Sequence, residues 1–330
     1  MAPMFSSGAK PPVFASSGRQ ATIAGIAAIL GAVMLLSLSD ALVKLWSDRL
    51  ALAQLILLRS VVAALALAAL LPFVGGSRFR PRRLGWVTLR SLLLASMWGC
   101  CYVALADTPL PTAAAALYTA PLMMALFSAW FLDDPFGRRG WLAVGLGFVG
   151  ILLMLRPDVA DLSPTALLPF VSAACYALAA IVTRSRCAAE EAFAMALNLH
   201  LVLVLTAAAA LAVLAVFGPA AAAHGSPSFL TAVWLPLGMA EWGMIVLLGL
   251  FMVVIATAVA RAYQIAPTPV VGVFDNAYLA FAAAWSASFF GTWPDLAGSA
   301  GIVLIAVSGA VAVWRPAART GTGRGSGATL

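Results

Sequence analysis

The chain has 330 residues, of which 63% are hydrophobic and only 9% charged, with a formal net charge of +7. A soluble domain carries about 25% charged residues, so this composition excludes one. Apolar runs long enough to cross about 30 Å of hydrocarbon recur along the chain, without the ten-residue alternation of a β-barrel, and an all-α integral membrane protein is expected.

Taken in order, residues 1–20 are rich in Pro, Ser and Gly and read as a disordered cytoplasmic tail, not a cleaved leader. Ten spans follow, expected over 21–46, 50–74, 85–106, 111–132, 138–156, 163–183, 192–217, 241–262, 268–291 and 295–314. Span 1 ends with Asp40 and Lys44, four apart and able to pair along a helix, or Lys44 can snorkel to the interface. Span 2 carries Arg59, which can hold an anionic group, pair with Asp40 or Asp275, or bond backbone carbonyls. Trp98 and Tyr102 fall one turn apart in span 3. Tyr118 and Pro121 lie in span 4, the proline as a hinge. Gly145, Gly147 and Gly150 allow span 5 close helix contact.

Glu190 and Glu191 are expected to favour the dipole opening span 7, and Glu241 that of span 8. His200, mid-way along span 7, is either a packed neutral ring or a group titrating near neutrality. Tyr263, ending span 8, reads as part of an interfacial aromatic belt. The segment 218–240 is too short in apolar residues to cross and is placed at the interface. Residues 317–330 form a second expected cytoplasmic tail.

Span 9 holds the most unusual residue. Asp275 is the one charged side chain between Gln264 and Trp293, in the stretch GVFDNAYLAF. A central acid costs at least about 2.5 kcal/mol to insert. It is read as a substrate contact or proton carrier, or as a hydrogen-bonded tie between helices. Asn276 beside it can join helices, and Tyr278 and Trp285 lie further along. No zinc-type cysteine spacing is present and neither histidine has a suitable neighbour, so no metal site is expected.

The basic residues set orientation. Of 19 Lys and Arg, fourteen fall on one side of an alternating ten-span chain and three, Lys44, Arg49 and Arg156, on the other, with Arg59 and Arg90 within spans. This bias puts both termini in the cytoplasm. The scattered charges form no patch for a nucleic-acid partner.

The chain also repeats itself. PTAAAALYTAP (111–121) aligns with PTPVVGVFDNA (267–277), and VGLGFVGILLMLRP (144–157) with VLIAVSGAVAVWRP (303–316). Five spans repeated once place the second copy upside down, giving repeats over 21–157 and 158–316. Inverted halves of this kind can open a central cavity to either side in turn.

In DALVKLW, QLILLRS, ALYTAPLMMALFSAWFLDDP, RRGWLAVGLGFVGILLMLRP and ARAYQIAP, the chain resembles the ten-helix EamA-type carriers of the drug/metabolite transporter superfamily. SDALVK and WPD are most similar to the group of S-adenosylmethionine or riboflavin uptake transporters. Helix 9 departs from the family pattern, with Val273 and Asn276 where proline and tyrosine are usual. The resemblance implies a cavity lined by spans 1, 3, 4, 6, 8 and 9.

Together these readings give an inner-membrane secondary transporter of a small organic metabolite, working by alternating access in the lipid bilayer. It needs no cofactor, and proton coupling and homodimerisation stay open. The expected substrate-binding residues are Asp275, Tyr118, Trp98, Tyr102, Asn276, Tyr278 and Arg59, with Asp275 also the coupling residue and no catalytic residue. The alternatives are a lipid-acting membrane enzyme, which lacks a constellation of catalytic groups, and a non-transporting scaffold.

Overall fold

A computed structural model describes residues 14–47, 49–70, 73, 81–104, 114, 116–131, 137–156, 167–222 and 232–313, except the side chains of 14–19, 102, 217–222 and 313. Among the described residues the regular structure is helical throughout, with no strand. The helices are α1 Phe14–Leu45, α2 Leu52–Leu70, α3 Leu84–Ala104, α4 Ala120–Phe131, α5 Arg138–Leu155, α6 Leu168–Arg186, α7 Ala192–Ala222, α8 Met239–Ile265, α9 Thr268–Asp275, α10 Ala277–Phe290 and α11 Leu296–Val313. Eight helical segments are long and apolar enough to cross a membrane, with α9 and α10 counted together as Thr268–Phe290. Two shorter apolar helices, Ala120–Phe131 and Leu296–Ala312, complete a set of ten.

Three boundaries correct the sequence expectation. The tail expected over 1–20 is helical from Phe14 onward. Span 4 does not run straight from 111: a turn at Tyr118 and Thr119 precedes α4, and 111–113 lie outside the described residues. Span 9 is broken at Asn276. The two interruptions fall on nearly matching positions of the internal alignment, in which Tyr118 and Thr119 align with Phe274 and Asp275.

Both breaks have local causes. At the first, Thr119 folds back on itself, its hydroxyl donating to the Ala116 carbonyl over 2.7 Å and its N–H to the same carbonyl over 3.1 Å. Pro121 then cannot donate into the preceding turn. At the second, Asp and Asn stand together, and their short polar side chains compete with the helix for backbone groups. The broken segments meet each other. A Cβ on Gly272 would lie 2.8 Å from Met124 Sδ and 3.5 Å from Pro121 Cα, so α9 crosses α4 closely and a larger residue would have to displace the Met124 side chain.

Helix neighbours come in sets related by exchanging span n with span n+5. The α3–α6 contact has its counterpart in α8–α1, α4–α6 in α9/α10–α1, and α3–α7 in α8–α2, while α5–α11 and α2–α7 map onto themselves. The α5–α11 seam brings two backbones together. A Cβ on Gly150 would meet the Gly301 carbonyl oxygen at 2.8 Å, and one on Gly301 would meet that of Gly150 at 2.5 Å. A Cβ on Gly147 would lie 3.1 Å from Ser308 Oγ, a looser approach, whereas one on Gly145 would meet nothing within 4 Å.

The main apolar core gathers Ile29 and Val33 of α1, Met124 of α4, Ala173 and Ala177 of α6, Tyr263 of α8 and Val271 of α9. The segment before α8 is fastened to α2 by one side chain. Gln54 Nε2 donates to the Leu235 carbonyl over 2.9 Å, and the Leu235 N–H donates back to Gln54 Oε1 over 3.1 Å.

Candidate functional site

Four of the five tyrosines converge around two aspartates. Asp275, the last residue of α9, stays half-buried inside the bundle. The Tyr176 hydroxyl of α6 lies within hydrogen-bonding reach of its carboxylate. Tyr263, buried at the end of α8, donates to the Tyr176 hydroxyl over 3.3 Å, and the two rings meet edge to face with centroids 6.1 Å apart. The belt position expected for Tyr263 is therefore wrong, because its ring is only 2% exposed.

The second aspartate is Asp40 of α1. It accepts a 2.7 Å hydrogen bond from the Tyr278 hydroxyl of α10, and the Arg59 guanidinium acts on it electrostatically. Its expected partner Lys44 is elsewhere, exposed and seated 4.7 Å from the centroid of the Phe290 ring. A carboxylate in a low-dielectric interior favours the nearest fixed donor, whereas a lysine near the helix end gains more by reaching outward. Three contacts thus join α1 to α10, the third being Trp285 Nε1 donating to Ser37 Oγ over 3.2 Å.

Tyr118 lies between the two acids. Its ring centroid is 6.3 Å from that of Tyr278, and both Asp275 and Asp40 act on its hydroxyl electrostatically. The half-buried state of Asp40, Asp275, Tyr118, Tyr176 and Tyr278 leaves polar surface facing inward from α1, α6, the α4 turn and the α9–α10 break. Such a place can hold a cationic or hydrogen-bonding group against aromatic faces.

The remaining expected site residues fall in different places. Trp98 is half-buried in α3. Tyr102 belongs to the same helix, but its side chain lies outside the described ones. Asn276 is buried away from Asp275, and its Nδ2 would be 3.2 Å from a Cβ on Gly147. Its Oδ1 has no hydrogen-bond partner. Arg59 acts on Asp40 and on His200, whose two ring nitrogens are buried without side-chain partners. Pro121 follows the first helix break. Among the described residues no group of three or more His, Cys, Asp or Glu stands together as a metal site.

One polar cluster was not foreseen. Glu190 does not serve the helix it precedes. Its Oε2 accepts the Arg82 N–H over 2.8 Å and its Oε1 the Arg83 N–H over 2.9 Å, so it caps α3 from across the chain. Gln264, next to Tyr263, donates through Nε2 to the carbonyls of Cys187 and Glu190 over 2.8 and 2.7 Å, and Arg184 Nη1 donates to the Gln264 carbonyl over 2.8 Å. This network closes one end of the bundle beside Tyr263. Glu241 does cap its own helix, accepting the Gly238 N–H over 2.9 Å.

A bundle of ten apolar helical segments, in which two broken spans meet, defines a class, the multi-pass α-helical membrane proteins. Residues 23–156 match the EamA-like transporter family. The chain is 24% identical over 273 residues to the pseudopaline exporter CntI of Pseudomonas aeruginosa, covering 82% of this chain and 89% of that protein. It is 25% identical over 225 residues to a riboflavin transporter of Vibrio cholerae, covering 66% and 68%. It is 23% identical over 160 residues to an S-adenosylmethionine uptake transporter of Rickettsia prowazekii, covering 48% and 54%. A protein of known crystal structure shares the fold at a TM-score of 0.67 and 20% identity, over 89% of this chain and 97% of its own. The three relatives are named as exporters or transporters.

Proposed function

We propose that the protein is an inner-membrane secondary transporter that moves a small organic metabolite by alternating access between two inverted five-helix repeats, 21–157 and 158–316. The observation that carries this reading is the pair of broken helices at nearly matching repeat positions, which cross at Gly272 and Pro121 and carry Tyr118 and Asp275 at or beside their breaks. Discontinuous spans at the interface of two repeats expose backbone and side-chain polar groups at mid-membrane, where carriers hold their cargo. The exchange-related helix contacts support the same symmetry. The relatives named for pseudopaline, riboflavin and S-adenosylmethionine support a small-metabolite cargo.

In this mechanism Asp275 is both a cargo contact and the coupling group, since it is a half-buried acid whose near neighbours are hydroxyls. Tyr118, Tyr278 and Trp98 supply aromatic surface, and the two ends of the bundle part in turn. The Arg184–Gln264–Glu190 network closes one end, and the α1–α10 contacts through Ser37, Asp40 and Lys44 close the other. The termini are assigned to the cytoplasm on the distribution of Lys and Arg.

The test is transport in proteoliposomes of a ligand first found by thermal-shift screening of the purified protein with S-adenosylmethionine, riboflavin and aromatic amino acids. Asp275→Asn is expected to remove the dependence on a pH gradient while the variant still binds. Unchanged proton coupling in that variant dismisses Asp275 as the coupling group.

A further inference from the structure

We propose that Arg90 anchors an oxyanion of the cargo, so that the site takes a zwitterion, with a cationic group at Asp275 and a carboxylate at Arg90. Arg90 lies in α3 and is 2% exposed, which denies it the interface that arginines in membranes usually reach by snorkelling. One edge of its guanidinium is fixed: Nε donates to Thr183 Oγ1 over 2.9 Å, and that hydroxyl donates on to the Ala179 carbonyl over 2.7 Å. Away from that bond, Nη1 is buried with no hydrogen-bond partner. Among the described residues no carboxylate pairs with Arg90, and the two ion pairs found there join Arg49 to Glu241 and Arg156 to Asp295.

A buried guanidinium with an unused donor edge is costly until an anion completes it. Its planar fork matches a carboxylate, which accepts two parallel hydrogen bonds. Its position gives the cargo a second constraint. Tyr176 and Thr183 are seven residues apart, so they share one face of α6 about 10 Å apart. Thr183 holds Arg90 on that face, and Tyr176 reaches Asp275 and acts electrostatically on Arg90. An acid without a cationic partner and a guanidinium without an anionic one therefore stand on either side of Tyr176. A purely cationic or anionic cargo satisfies one of them, and a zwitterion satisfies both. The inference rests on the alternating-access reading, since Nη1 is covered here and the α3–α6 seam must part to admit a ligand.

Matched probes test it: S-adenosylmethionine against its decarboxylated form, L-phenylalanine against phenethylamine, and riboflavin as a planar molecule without a carboxylate. Binding is read by thermal shift and movement by counterflow in proteoliposomes, for the wild type, Arg90→Gln and Arg90→Lys. The wild type is expected to favour the acid of a pair by about tenfold, the worth of a charge-assisted hydrogen bond. Arg90→Gln is expected to abolish that preference, with Arg90→Lys between them. A wild type that does not favour the acid, or an Arg90→Gln protein that still does, overturns the anchor. If Arg90→Gln does not fold, the Arg90→Lys protein and competition by the methyl esters decide on the same criterion. Movement of riboflavin or the amines without the acids sinks the anchor and leaves the transport reading standing, whereas movement of none of the five overturns both.

Discussion

Tyr278 and Asp40, 238 positions apart in sequence, are joined by a 2.7 Å hydrogen bond that ties α10 to α1. Tyr278→Phe leaves the carboxylate without that donor, and a hydrogen bond to a charged group is worth about 2 kcal/mol. The variant is expected to unfold at lower temperature in detergent. Combined with Asp40→Asn, the loss should be clearly less than additive, because both substitutions remove one interaction. A fully additive double mutant would deny that the two side chains work as a pair.

Gly150 makes the sharpest steric prediction. Gly150→Leu drives a side chain into the Gly301 carbonyl and the flanks of Leu304 and Ile305, at a cost of about 3 kcal/mol or more. Gly145→Ala meets nothing within 4 Å and is expected to be neutral within about 0.5 kcal/mol. Thermal unfolding of the two purified variants checks the contrast. Equal damage at both positions contradicts the described seam.

Glu190 is expected to matter for a helix that lies about a hundred residues upstream. Glu190→Ala frees the N–H groups of Arg82 and Arg83 and should cost about 2 kcal/mol of stability. Glu190→Gln keeps one acceptor and should fall between. Hydrogen exchange in the first turn of α3 should rise in both variants, while the first turn of α7 should change little. The reverse pattern would return Glu190 to the helix it precedes.

Much of the architecture was legible because bilayer thickness writes itself into the sequence as long apolar runs. The break in span 9 was foreshadowed by Asp275 and Asn276, residues that hydrocarbon tolerates poorly. The start of span 4 was not, since the Ala-rich run before Tyr118 reads as good helix and only a turn at Thr119 interrupts it. Partners were harder to read than positions. Lys44 is four residues from Asp40 and looked like its mate, but the acid is met by a tyrosine from the far half of the chain. Tyr176 carried no local signal at all, and Tyr263 resembled a belt residue because only the packed bundle surrounds its ring. What the sequence did offer was scarcity: with five tyrosines in 330 residues, the gathering of four of them at one place could have been asked about.

At Gly150 and Gly301 the two backbones meet with no side chain of either glycine between them, so neither residue has a rotamer with which to absorb a change of distance. Two backbones in such contact can swivel or stay, but they cannot breathe. Spin labels on neighbouring turns of α5 and α11 should report one sharp separation under every condition that broadens the rest of the molecule, marking this crossing as its fixed reference.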